Sequence, residues 1–280
     1  MRKLRIGHSP DADDAFMFYA ITHGLVDIEG PEDAEHVEVL EDIQSLNRRA
    51  FDGELEMTAI SAAAYPRVAE TYRILACGAS MGLEYGPIVV ARSDMAIESL
   101  RGRRVAVPGE HTTAFLLARL LLPPFEPVQL PFDRVMEPVA AGDLDAALVI
   151  HEGQLTYVDA GLKKILDLGQ LWHAQTGLPL PLGLDVVRRD LGDAWHAALA
   201  SALRRSIDYA LLESRPALEY ALRFGRGIDA ERGEKFARMY VNDLTVDMGA
   251  SGESALRELY SRAHAAGLIP QIPPLDIVRD

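Results

Sequence analysis

The apolar run Ala146-Ala147-Leu148-Val149-Ile150 stops at His151-Glu152-Gly153. A buried strand reads as such a run, and glycine marks the turn that ends it. In open α/β sheets the ligand crevice lies beyond the carboxyl ends of the strands. His151 is therefore a candidate general base facing a cleft. Its imidazole titrates near neutrality and can accept a proton from a carbon or oxygen acid. The alternative is a turn histidine that only solvates the end of a strand. For Glu152 the favoured reading is a solvent-facing side chain, and the other is an orienter of His151.

Three further stretches offer groups to hold a ligand. Pro108-Gly109-Glu110-His111-Thr112-Thr113-Ala114 leads from a strand into an apolar helix, 115–122, which Pro123-Pro124 stops. The hydroxyls of Thr112 and Thr113, with the free N–H groups of a helix start, suit a carboxylate. Against this stands a plain threonine cap. His111 is expected to cap the turn, with a second acid–base role as its alternative. Ser61 ends the strand 55–61 and is either a cap or a ligand hydroxyl. In the first loop, Asp13 or Asp14 is expected to cap the following helix. With Asp11 they form an acidic loop unsuited to anions, so ligand contacts there should run through hydroxyls or backbone.

The positioning elements alternate. Strands are expected at 4–8, 36–40, 55–61, 72–78, 86–92, 104–107, 128–132, 144–150 and 179–189. Helices are expected at 42–51, 96–100, 115–122, 133–142 and 154–166, with a loop at 172–177 whose Trp172 packs on the surface or walls a pocket. The last third reads as helical (195–212, 216–224, 230–240 and 252–266), broken by an extended polar segment, 241–249. Strands 88–92 and 180–187 look like crossings. The expected architecture is a two-lobed α/β fold with a ligand cleft between the lobes. Residues 1–92 and 181–280 form the larger lobe, and 93–180 a smaller inserted one.

Bulk properties narrow the function. The chain has 280 residues, 49% hydrophobic and 25% charged, with a formal net charge of -14. That charge disfavours nucleic acid and anionic membrane as partners, since both demand a basic footprint. The expected partner is a small-molecule carboxylate; the oligomeric state is not fixed by the sequence. The single cysteine, Cys77, sits in an apolar run and reads as a small buried hydrophobe. No CxxC or HExxH occurs, so no metal site is expected, and the residues present require no organic cofactor. Residues 1–10 lack the apolar stretch of a signal peptide and no run approaches membrane-spanning length, so the expected location is cytoplasmic.

Several stretches together carry a resemblance. Ser9-Pro10 with Asp14 and Phe16, Glu41-Asp42 with Leu46-Asn47-Arg48, Ser61 with Tyr65, and Gly86-Pro87-Ile88-Val89-Val90-Ala91-Arg92 are among them. Gly109-Glu110-His111-Thr112-Thr113-Ala114 and His151-Glu152-Gly153-Gln154-Leu155 are the most specific. Pro181-Leu182-Gly183 and Tyr240-Val241-Asn242 fit as well. Across nearly its whole length the chain resembles the menaquinone-biosynthesis enzymes of periplasmic-binding-protein (type II) fold. The resemblance implies a lyase of the futalosine pathway that forms 1,4-dihydroxy-6-naphthoate from cyclic dehypoxanthine futalosine. It implies His151 as proton acceptor, with Ala59, Ile60, Ser61, Thr112, Thr113 and Asn47 at the substrate. The alternatives are a chorismate dehydratase of the same pathway and a non-enzymatic receptor for a small carboxylate. Two departures from the family pattern stand in the site: Asp11-Ala12-Asp13-Asp14 in the first loop, and Ala59 where a lysine occurs.

Overall fold

Two sheets, each fed by apolar strand runs, carry the chain's loops to one cleft. The computed structural model describes residues 2–224 and 230–279. Positions 1, 225–229 and 280 of the expected larger lobe lie outside the described residues. The first sheet contains β1 (Arg2–His8), β2 (Ala34–Leu40), β3 (Met57–Ser61), β4 (Tyr72–Leu75) and β5 (Ser80–Gly82). The second contains β6 (Ile88–Ala91), β7 (Arg104–Val107), β8 (Glu126–Gln129), β9 (Ala146–Val149) and β10 (Lys163–Asp167). The chain then returns to the first sheet through β11 (Leu180–Arg188) and β12 (Ile277–Val278).

The first sheet runs β12-β4-β11-β3-β1-β2, with β5 paired to β11; the second runs β10-β6-β9-β7-β8. β1 lies parallel to β2 and β3, and β7 parallel to β8 and β9. Residues in β3, β6 and β9 are buried throughout. Both faces of these strands are covered, which is why their sequences run apolar without alternation. A core of Ile60, Leu184, Val89, Val107 and Leu117 is continuous across both sheets. A second gathers the helix Ala12–Thr22 and the long helix Asp193–Leu212 on the first sheet.

Local chemistry sets the helix starts. Asp42 accepts hydrogen bonds from the N–H groups of Gln44 and Ser45 and opens the helix Ile43–Phe51. Thr112 does the same for the helix Thr113–Leu121, accepting from Phe115 N. No helix among the described residues is long and apolar enough to cross a membrane.

Several expectations from the sequence are corrected. β6, read as a crossing strand, is hydrogen-bonded into the second sheet between β9 and β10. The expected helix 154–166 is a single turn, Gly153–Thr156; Gly161 then adopts φ +70 and the chain turns into β10. Lys163 and Lys164 lie on the exposed part of this edge strand, where a strand and a helix surface look alike in sequence. Asp167 next caps a helix, Leu168–Thr176, where a loop is expected. Trp172 on that helix is fully buried, its Nε1 donating to Pro179 O at 3.0 Å, so it neither covers the surface nor walls the cleft. The segment 241–249 contains a capped helical turn, Asp243–Val246, with Asn242 as the cap. Neither Asp13 nor Asp14 caps the first helix: Asp11 holds that position, and the other two point inward from the first turn.

Candidate active site

The carboxyl ends of β1, β3, β7 and β9 converge on a cavity of about 690 Å³ including its mouth. Its walls come from both sheets: Ser9, Asp13, Asp14, Ala59, Ile60 and Ser61 from the first, Thr112, Thr113, Ala114, Ile150 and His151 from the second. Leu182 to Asp185 of β11 and Phe236 and Tyr240 of the C-terminal helices close it.

His151 stands two residues beyond β9 in the left-handed region, at φ 53. A non-glycine residue rarely adopts this backbone, and such strain gathers at functional sites. The turn brings the imidazole against the first sheet's loop, where Nδ1 lies 3.1 Å from Asp11 Oδ2. Ser9 Oγ donates to the same oxygen at 2.8 Å. Asp11 is 1% exposed, so its end of the pair is shielded from water, while the His151 ring is partly exposed at the cavity. The edge of Phe132 meets the imidazole at 4.9 Å between centroids. Nε2 is buried with no hydrogen-bond partner, on a ring that borders the cavity. With its Nδ1–H on a carboxylate, a neutral imidazole carries its lone pair on Nε2, the arrangement of an oriented base.

Charge around this ring is one-sided. Burial works against the imidazolium, but the carboxylates of Asp11, Glu152, Asp13 and Asp14 together raise the pKa of His151 above its ordinary 6.5. Glu152 is buried, contrary to the solvent-facing reading, and contributes to this rise. Burial first, then the neighbouring Asp14 and Asp11, pushes Asp13 up to about 7. Asp14 is raised as well, chiefly by burial.

The ligand-holding stretches are organised differently from their sequence reading. Asn47 is fully buried and does not line the cavity; it clamps Ser61 instead. Its Oδ1 accepts from Ser61 N at 2.8 Å and its Nδ2 donates to Ser61 Oγ at 3.0 Å. Ser61 Oγ is not a helix cap, and as an acceptor here it keeps its own proton to donate. Thr112 Oγ1 donates to Gly109 O at 2.8 Å while capping its helix. Thr113 Oγ1 donates to Leu182 O at 2.7 Å and accepts from Ala63 N at 3.1 Å, tying the second sheet's helix to the first sheet. Both threonine hydroxyl protons are therefore engaged within the protein. The N–H groups of Thr113 and Ala114 have no acceptor among the described residues and remain at the helix start for an anion. His111 lies outside the cavity lining, its ring edge-on to Phe51 at 4.9 Å, and serves the interface between helix and loop.

Three groups at the site escaped the sequence reading. Asp11, rather than Glu152, lies against His151 Nδ1. Tyr240, paired with Gln154 at 2.8 Å, walls the cavity from a helix 86 residues away. Asp185, between apolar strand residues, borders it too; a carboxyl amid buried strand residues is a signal the sequence does carry. Cys77 is buried with its Sγ toward Ala200 O and takes no place in the lining. Among the described residues, no three of His, Cys, Asp and Glu are arranged to hold a metal ion.

Known proteins share this framework. A Thermus thermophilus protein named 1,4-dihydroxy-6-naphtoate synthase is 43% identical over 98% of this chain and 98% of its own length. A crystal structure of an Archaeoglobus fulgidus protein superposes with a TM-score of 0.90 at 52% identity, covering 95% of this chain and 98% of that one. A Candida albicans protein described as having the generic periplasmic binding protein structural fold gives a TM-score of 0.69 at 14% identity, over 97% of this chain and 92% of that one. That last likeness speaks to fold alone, and it is the two-lobed fold expected from the sequence. Residues 4–265 match the family described as menaquinone biosynthesis, and the chain belongs to that family.

Proposed function

We propose that this chain is a lyase that converts cyclic dehypoxanthine futalosine into 1,4-dihydroxy-6-naphthoate, with His151 as the proton acceptor. The near-full-length likeness to the Thermus thermophilus protein of that name carries the reading. The site's geometry supports it. The product, as named, bears a carboxylate on one ring and two oxygens on the other. The free N–H groups of Thr113 and Ala114 and the hydroxyl of Ser61 suit the carboxylate. The acidic loop suits neutral oxygens and would repel an anion, which sets the ligand's direction. Nε2 of His151 then takes a proton from the substrate, and the imidazolium so formed is held by Asp11. In this reading the two sheets are lobes that enclose the substrate and keep water from the reacting atoms.

Purified protein given cyclic dehypoxanthine futalosine should release the naphthoate, followed by its absorbance. His151→Ala should lower kcat by roughly a hundred- to ten-thousand-fold, the worth of a positioned base. Full turnover by that variant would remove His151 from the role. Binding of small carboxylates without any turnover by the wild-type protein would overturn the enzymatic reading.

A further inference from the structure

Asp185 lies within β11 between Leu184 and Val186, and is 1% exposed. Across the sheet it pairs with Ala59 of β3, which has no group to meet a carboxyl. Against its other flank lies Gly78, at φ +84, where a Cβ would stand 2.1 Å from Asp185 Oδ2. The glycine thus makes room for the carboxyl without satisfying it. Both oxygens are buried with no hydrogen-bond partner. The neighbouring acids differ in this respect. Ser80 Oγ donates to Asp13 Oδ2 at 3.0 Å, and Ser9 N to Asp14 Oδ2 at 2.8 Å. A buried polar group left unpaired costs free energy, and in a folded protein such an orphan calls for an explanation. Asp185 borders the same cavity as His151.

We propose that Asp185 is a substrate-binding residue whose carboxyl hydrogen-bonds a neutral oxygen, hydroxyl or carbonyl, on the ring of the ligand that lacks the carboxylate. The ligand class rests on the function proposed above. Burial, followed by the charges of Asp14 and Asp13, holds the Asp185 proton well above the usual carboxylate range. An un-ionised carboxyl both donates and accepts, so it can serve a hydroxyl or a carbonyl and neither repels nor requires charge.

The test compares two ligands on one skeleton: 1,4-dihydroxy-6-naphthoate, titrated without oxygen, and naphthalene-2-carboxylate, which lacks the ring oxygens. The wild-type protein should bind the dihydroxy ligand more tightly. Asp185→Leu should reduce that preference by roughly ten-fold, the worth of about one hydrogen bond, with its affinity for naphthalene-2-carboxylate unchanged. Asp185→Asn, which keeps a donor and an acceptor, should retain the preference. Both variants should melt above the wild-type protein when ligand-free, because each removes a buried carboxyl that lacks a partner. If Asp185→Leu fails to fold, Asp185→Ala provides the same comparison. Equal weakening of both ligands, or an unchanged preference, would overturn the assignment. If the wild-type protein forms no naphthoate but the preference depends on Asp185 as described, the enzymatic reading fails and the assignment stands. Binding of neither ligand by the wild-type protein would overturn both.

Discussion

At the scale of single residues, the proposed chemistry turns on how His151 is held. Nδ1 faces Asp11 at 3.1 Å, and Nε2 is buried without a partner beside the cavity. The surrounding carboxylates outweigh burial and raise its pKa above 6.5. A base acts when neutral, so kcat/KM should climb with pH along a limb whose midpoint lies above 6.5. Asp11→Asn removes the largest of the charges that favour the imidazolium. The midpoint should then move to lower pH, and the plateau should fall by up to about a hundred-fold as the ring loses its orientation. A pH profile of both proteins checks this; an unmoved limb in Asp11→Asn would assign the limb to another group. The imidazole's place also depends on its backbone, since φ 53 turns the ring off the line of β9 toward the opposite sheet.

At the scale of elements, the helix start at Thr113 illustrates how a side chain that borders a site can serve the scaffold. Thr113 Oγ1 joins Leu182 O and Ala63 N, so it fastens the second sheet's helix to β11 and to the turn after β3. Thr113→Val keeps the shape and leaves two backbone groups unpaired. Urea unfolding should show a loss of about 2–6 kcal/mol, from roughly 1–3 kcal/mol for each orphaned group. The KM of the folded variant should change less than about three-fold, because the backbone N–H groups proposed to hold the carboxylate remain; roughly 0.65 kcal/mol corresponds to that factor. A large rise in KM with little loss of stability would instead give the hydroxyl a direct role. Asn47 plays a comparable part for Ser61, gripping both its N–H and its Oγ from the buried face of the helix Ile43–Phe51.

At the scale of the whole molecule, the site's buried acids set how stability follows pH. Asp13 moves from 3.8 unfolded to about 7 folded, so the native state binds more protons than the unfolded chain between those values. Stability then declines as pH rises through that window. Asp14 and Asp185 are raised in the same sense. His151, also raised, adds stability that is complete below 6.5 and lost as pH climbs through its folded value. Glu56, Glu38 and Asp276 are lowered, and what they contribute is lost only under more acid conditions, as pH falls through their folded values. The Tm should therefore rise as pH is lowered from about 8 to about 6, by roughly 2–4 °C for each kcal/mol gained. Asp13→Asn should flatten that slope, as read by calorimetry across the range. A Tm that falls over the same interval would show that the acidic cluster does not dominate.

Much of this was legible in the residues themselves. The apolar run into His151-Glu152-Gly153 located a strand end, and Ser61, Thr112 and Thr113 marked two more junctions at the same cavity. Alternating strand and helix patterns gave the α/β class, because side-chain period is a local property. The sequence did not distinguish edge strand β10 from a helix, since Lys163 and Lys164 suit either exposed surface. Nor did it distinguish a threonine hydroxyl offered to a ligand from one bound to Leu182 O, 69 residues away. Asp11 against His151 and Asp185 against the cavity were likewise settled by packing. Local pattern fixes which residues stand at strand ends. Which of their polar groups are satisfied, and which are left facing the ligand, depends on partners that only the folded chain brings within 3 Å or so.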